Sequence, residues 1–333
     1  MLLIVNYHYI HDHGKYPFPG IHPTSPSELR TQIQELGRIF EFVNGSQISR
    51  AIMQERSLPE KACLLTFDDG LLDQFDNALP VLESEGVQGT FFVCSGPLYD
   101  NKALLVHMMH WLRATRSPVD FRSLLESKAG PAGISLDGYS INEIEVSNQY
   151  QYDDIETGKL KFLLNHLIPE NEKEILVNKM FNEMEDQAEF CKNFYMSKDN
   201  IKQLSLSHSV GSHTHSHRSL TKINIPTMQY EVSFSKSYLE SILGISVELI
   251  SYPFGGPTAI SEDVEKVVAK VGYLGGITME RTINQSLKRP LLLSRLSTND
   301  APGGKTPRLR INHMDELESD SVGIWNRNQH FQE

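Results

Sequence analysis

Two adjacent carboxylates, Asp68 and Asp69, stand between an apolar run and a glycine in Thr66-Phe67-Asp68-Asp69-Gly70. Like charges that close raise each other's pKa. A cation that takes one of them relieves the cost and leaves the other free to act as a base. Farther along, His213 and His217 lie four apart in Ser212-His213-Thr214-His215-Ser216-His217, a spacing that on a helical turn projects both imidazoles from one side. Two neutral imidazoles and one carboxylate make a three-ligand site for a zinc-like divalent ion, with a position left for water. His215, two residues from each, points away. Either motif alone also reads as a polar turn; together they complete a ligand set.

These groups must be positioned by the elements around them. Leu2 to Tyr7 is an apolar run of strand length with His8 at its end, and Ala62 to Phe67 is a second, leading into the Asp pair. Thr90 to Cys94, His208 to Gly211, Val247 to Tyr252, Tyr273 to Thr278 and Leu291 to Leu296 bring the count to seven. Helical periodicity separates them: from Ser27 to Phe40, Leu72 to Glu85, Ser197 to Leu206, Pro226 to Leu243 and Ser261 to Val271. Repeated β-then-α order predicts parallel strands with helices outside, as a distorted (β/α) barrel or an open doubly wound sheet. No glycine-rich dinucleotide fingerprint follows the first strand. His8, Asp68, Asp69, His213, His217 and the Pro253-Phe254-Gly255 turn all fall at carboxyl ends of strands, which in a parallel barrel share one face.

Between the third and fourth strands the chain changes character. Residues 96–195 carry helical periodicity around a polar middle from Ser127 to Asp137, and are expected to form a mostly helical insertion. His107, His110 and His166 occur there without a carboxylate partner and read as ordinary histidines. The barrel is expected from 1–95 and 196–300, and the polar stretch 301–333 as a surface tail that Trp325 could dock.

Composition limits the partners. The 333 residues carry a formal net charge of −11, which argues against a nucleic-acid surface. The three cysteines, Cys63, Cys94 and Cys191, are widely spaced and imply neither disulfides nor a thiolate metal site. Met1-Leu2-Leu3-Ile4-Val5 has no basic region or small-residue cleavage site and is too short to span a membrane, so the cytoplasm is the expected compartment.

Taken in order, Thr66-Phe67-Asp68-Asp69-Gly70, the His213…His217 pair and Tyr252-Pro253-Phe254-Gly255 resemble the signature of the polysaccharide deacetylases, the NodB-homology group of carbohydrate esterase family 4. The opening Tyr7-His8 resembles the start of many members. The resemblance implies a distorted (β/α)7 barrel, with Asp68 as general base and Asp69, His213 and His217 as ligands of a divalent metal, zinc first. It also implies an oxyanion donor in the Phe254 N–H and substrate contacts from Tyr252, Pro253 and Gly255. Two positions depart from the pattern. Ser251 stands where the family carries the arginine that holds the base, and Arg295 is the replacement by location. Leu293-Ser294-Arg295 lacks the histidine that protonates the leaving amine, and His8 is its stand-in, ahead of His11 and His313. The expected activity is metal-dependent hydrolysis of the acetamide of an N-acetylated amino sugar, in a surface-polysaccharide precursor or oligosaccharide. A sugar deformylase or other amide hydrolase of the same fold, and a carbohydrate-binding pseudoenzyme, are the alternatives.

Overall fold

Leu2–Tyr7 (β1) and Ala62–Asp69 (β3) are buried along their whole lengths and pair in parallel, Leu2 beside Ala62 through Tyr7 beside Phe67. In this computed structural model, which describes residues 1–136, 139–150 and 153–319, they are the longest strands and both are interior to the sheet. Between them in the chain lies Glu41–Val43 (β2); after them come Gly89–Val93 (β4), Ser209–Ser212 (β5), Leu249–Ser251 (β6), Gly275–Ile277 (β7) and Leu296–Ser297 (β8). The strand order is β7-β6-β5-β4-β3-β1-β8, every pair parallel, with helices in the connections: a distorted (β/α)7 barrel.

Side-chain alternation sorts β1 and β3 into two cores. Val5, Tyr7, Leu65 and Phe67 face the helices, where Tyr7 donates to Gln32 Oε1 on the helix Pro26–Leu36 at 2.6 Å. Leu2, Ile4, Ala62 and Leu64 join Phe92, Leu249, Ile277 and Leu293 in a separate cluster. The same alternate positions continue as Asn6, Thr66 and Asp68. Each inward row is therefore apolar at its start and polar at its carboxyl end, which confines the buried polar groups to one mouth.

Two strands differ from the sequence expectation. The three-residue β2, too short to show a pattern, pairs with β3 at Ala62–Leu64, while β4 takes β3 from Leu65 to Asp69 on the same side. The stretch Leu291 to Leu296 is not a continuous strand. Pro290–Leu292 is a 3₁₀ turn, Leu293 exchanges hydrogen bonds with Thr278 N–H and Gly276 C=O beside β7, and only Leu296–Ser297 pairs with β1. At the break, Asn284 bonds the Ser294 N–H and C=O through its side-chain amide, and Arg295 N–H donates to Glu280 C=O at 3.1 Å. These substitute partners satisfy the backbone groups that a regular ladder would.

The chain divides into two compact units. The first, residues 1–13, 23–102 and 191–333, is the barrel. The second, 14–22 and 103–190, packs helices Leu105–Thr115, Pro118–Ala129, Ile155–Phe162 and Glu170–Asn182 around buried residues that include Leu112, Phe121, Leu176 and Phe181. The segment 14–22 joins it because Gly20 lies against the Ala114 backbone, where a Cβ would sit 2.2 Å from the amide nitrogen. Beyond the barrel strands, Leu309–Ile311 and Leu317–Ser319 form an antiparallel hairpin within what the sequence suggested was an irregular tail. Trp325 lies outside the described residues. No described helix is long and apolar enough to cross a membrane.

Candidate metal centre and active site

Strand register brings the chemistry to one level. Asp68 pairs with Phe92 and Asp69 with Val93; Val93 pairs with Ser212, the residue before His213; and Ser212 pairs with Ile250, the residue before Ser251. At that level Asp69 Oδ1 lies 3.5 Å from His213 Nε2 and 3.6 Å from His217 Nε2. These three residues form the one group of metal-capable donors among the described residues, with all donor atoms within 4.8 Å of one another. Ligands about 2.1 Å from a tetrahedral ion sit roughly 3.4 Å apart, so the spacing fits a small divalent cation. His213 Nδ1–H donates to Ser251 C=O at 2.7 Å. That bond fixes the tautomer and leaves the Nε2 lone pair facing the carboxylates.

The histidines are not on a helical turn. Residues 213–219 form a loop in which Thr214 has φ 65° and His217 φ 59°. Its carbonyls and amides are fixed from outside. His213 N–H donates to Val93 C=O at 2.9 Å, and Ser235 Oγ donates to Thr214 C=O at 2.9 Å. The buried Glu231 carboxylate accepts from the His215 and Ser216 amides at 3.0 and 2.7 Å and from the Ser216 hydroxyl. Seven described non-glycine residues have positive φ, and four of them, Asp69, Thr214, His217 and Phe254, are at this site. Such conformations cost about 1–3 kcal/mol each and persist where the surroundings over-determine them.

Asp68 has different company. Arg295, 1% exposed, donates to Asp68 from both Nη atoms, at 2.9 Å to Oδ1 and 2.5 Å to Oδ2. Its Nη1 also reaches Asn6 Oδ1 at 3.1 Å, and its Nε the Met279 Sδ at 3.0 Å. The Ser251 hydroxyl donates to Asp68 Oδ2 at 3.2 Å. Burial alone would push this carboxyl up; the Arg295 charge, then His213, then the Arg295 hydrogen bonds more than offset that and hold it below the usual carboxylate range. The break in the last strand gives Arg295 this position, since its backbone lies in neither ladder.

His8, after β1, keeps solvent contact at the mouth. Even so, desolvation by its neighbours pushes its imidazole below the ordinary value, with Asp69 and then Asp68 opposing. Phe254 is 57% exposed, with its ring centroid 5.0 Å from that of His217. Its turn is anchored by Gly255, φ 56°, where a Cβ would sit 2.7 Å from Met279 N. Pro253 is buried in the same turn. Tyr252 is buried with its hydroxyl on Leu291 C=O at 2.9 Å, so this side chain serves the core and its backbone carries the turn. His11 hydrogen-bonds the Asp12 carbonyl, and His313 lies in the turn of the terminal hairpin. His107 and His110 are in the helical unit, ring centroids 6.2 Å apart. Sequence reasoning missed Ser251 as a donor to Asp68, Glu231 as the loop anchor, and Asn6 and Thr66 as the lining beside Arg295. The last two carried a signal, being polar residues at inward positions of otherwise apolar strands.

A parallel (β/α)7 barrel with an Asp-Asp pair and two histidines at its mouth defines a class. The family model described as polysaccharide deacetylase matches residues 55–111 and 170–276 of the chain, a span that holds both the Asp68-Asp69 pair and the two histidines. Among curated proteins, Bacillus subtilis YxkH, whose name assigns it to the polysaccharide deacetylases, is 23% identical over 126 residues, 37% of this chain and 39% of that one. The chain thus spans about two fifths of that relative's length. Among solved structures, the Streptococcus pyogenes deacetylase PplD in complex with acetate superposes with a TM-score of 0.54 at 16% identity, covering 89% of this chain and 91% of that one. IcaB from Ammonifex degensii gives 0.53 at 16%, over 89% and 91%. A de-N-acetylase from Aggregatibacter actinomycetemcomitans gives 0.53 at 16%, over 89% and 94%. At such identities the likeness is one of fold.

Proposed function

We propose that the protein is a metal-dependent N-deacetylase that hydrolyses the acetamide of an N-acetylated amino sugar, in a surface-polysaccharide precursor or oligosaccharide, to a free amine and acetate. The observation that supports this most is the division of labour between neighbouring carboxylates. Asp69 faces two imidazole nitrogens, while Asp68 is held by a guanidinium and a hydroxyl. A divalent cation held by Asp69, His213 and His217, zinc by the chemistry of the donors, would polarise the acetamide carbonyl and acidify water. Asp68, kept ionised, takes the proton of the attacking water. Arg295 and Ser251 hold its oxygens in place through that transfer. The Phe254 N–H is the donor for the developing oxyanion, with Pro253 and Gly255 setting its turn. His8 delivers the proton that lets the amine leave, in place of the histidine absent from Leu293-Ser294-Arg295. Phe254, exposed beside His217, meets the sugar.

The test pairs chemistry with metal content. With zinc supplied, the protein should release acetate from N-acetylhexosamine oligosaccharides or their precursors, and a chelator should abolish release reversibly. Asp68→Asn should keep its zinc and lose about 10²–10⁴-fold in kcat. Formate release from N-formylated sugars, without acetate release, would favour the deformylase. Equal inactivity of wild type and Asp68→Asn, with sugar still bound, would favour the binding protein that the missing histidine permits.

A further inference from the structure

His215 stands between the two histidines of the metal site and takes no part in it. Both of its ring nitrogens are engaged elsewhere: Nδ1 with the Ser95 hydroxyl at 2.8 Å and Nε2 with Asp100 Oδ2 at 2.9 Å. His215 is 6% exposed, and its ring has Phe234 and Tyr230 around it, centroids at 4.9 and 5.5 Å. The partners on Ser95 and Asp100 bracket a short helix, Gly96–Tyr99, that follows β4. The same segment holds the loop backbone. Ser95 N–H donates to Thr214 C=O at 3.2 Å and Gly96 N–H to His215 C=O at 2.8 Å. Gly96 has no room for a side chain there, since a Cβ would meet His215 O at 2.7 Å.

Four contacts from residues 95–100 thus converge on Thr214 and His215, the two residues directly after His213. The first of them has a left-handed backbone that a β-branched side chain resists. A two-residue displacement there would carry His217 away from Asp69, because the ligands are only four residues apart. We propose that Ser95, His215 and Asp100 form a clasp that presets the metal loop, with His215 as a positioning residue for His213 and His217 rather than a ligand. This deepens the metal-site reading above and rests on it. The clasp acts on affinity for the ion: it lets the ligand pair be in place before the ion arrives. Outer partners of this kind typically account for 10- to 100-fold in metal affinity.

The experiment is zinc affinity of the metal-free protein, by competition with a chromophoric chelator, with cobalt absorption as a second readout of ligand geometry. His215→Phe keeps an aromatic ring in the box and removes both polar contacts. Asp100→Ala removes one contact at a side chain that is 35% exposed, and so tests the clasp even should the first variant fail to fold. Both should raise the zinc Kd, by about 10–100-fold and about tenfold respectively. Asp100→Asn, which retains an acceptor, should lie near wild type. The double variant His215→Phe/Asp100→Ala should be no weaker than His215→Phe, because both break one unit. At saturating zinc, kcat should return to within a few-fold of wild type, which a loss of fold would not allow. Wild-type zinc Kd and cobalt spectra in both single variants would overturn the clasp, as would losses that multiply in the double variant. Metal affinity is read without any sugar. A protein that binds zinc through the clasp but deacetylates nothing would therefore sink the functional reading alone.

Discussion

Replacing Arg295 by methionine should be among the most damaging single changes in the barrel, and the reason is what it leaves behind. Asp68 and Arg295 are each 1% exposed and share two charged hydrogen bonds. Methionine fills much of the volume of the arginine stem, so the cavity term is small. What remains is a buried carboxylate whose surviving hydrogen-bond donor is Ser251 Oγ at 3.2 Å, and an Asn6 oxygen left with only the Thr66 hydroxyl at 3.5 Å. Removing one partner of such a pair costs about 3–5 kcal/mol, because the other charge stays buried and uncompensated. That is a large share of a typical total of about 5–15 kcal/mol. Urea unfolding followed by circular dichroism, fitted with separate transitions for barrel and helical unit, measures it. Adding Asp68→Asn should recover at least about half of the loss, since the neutral amide no longer needs the guanidinium. Arg295→Lys should fall between, keeping the charge and losing the fork. Activity should drop as well. Without the guanidinium, burial pushes Asp68 up and the base is protonated at higher pH. A cost under about 1 kcal/mol, the range of an exposed pair, or strictly additive losses in the double variant would refute this account.

The pair also sets a pH dependence. Asp68 is held below its unfolded value, near pH 3.9, so its stabilising contribution is present above about pH 4 and is lost as pH falls through the lower folded value. Unfolding free energy followed from pH 7 to pH 3 should therefore fall more steeply in the wild type than in Asp68→Asn; parallel curves would count against it. Gly255→Ala should destabilise the barrel by more than about 1 kcal/mol and reduce kcat, because φ is 56° and the new Cβ would press on Met279 N at 2.7 Å; an unchanged melt would contradict that. His8→Ala should lower kcat about 10²–10⁴-fold while leaving zinc stoichiometry intact, and full activity in this variant would remove His8 as the acid.

What could be read from the chain follows from which interactions are local. β1 and β3 are continuous apolar runs, and the inward positions Leu2, Ile4, Ala62 and Leu64 turn polar at Asn6, Thr66 and Asp68 with the strand period, so strand, facing and mouth are all written locally. The last strand is not. Its middle is held by the Asn284 amide and the Glu280 carbonyl, partners that have no counterpart in the 291–296 pattern. The loop from His213 to His217 was misread for a related reason. A spacing of four suits a helical turn, but here Thr214 and His217 have positive φ, and the Thr214 and His215 carbonyls accept from Ser235, Ser95 and Gly96, remote in sequence, instead of from amides four residues on.

These two departures meet at Asp68, and they explain how the site can do without the arginine expected at residue 251. A buried carboxylate needs a counter-charge in bidentate reach; it does not matter which strand supplies it. Ser251 is on β6, and the hydroxyl there is long enough to donate once but carries no charge. The charge comes instead from Arg295, where the last strand leaves its ladder and frees a long side chain to cross the barrel interior toward Asn6, Thr66 and Asp68. A regular last strand would keep residue 295 in register between β7 and β1. The distortion of the barrel and the relocation of the guanidinium are thus one structural fact. The same shift bears on the histidine missing from the end of Leu293-Ser294-Arg295: that position is already committed to Asp68, and the proposed function therefore draws the proton for the leaving amine from His8, at the end of β1.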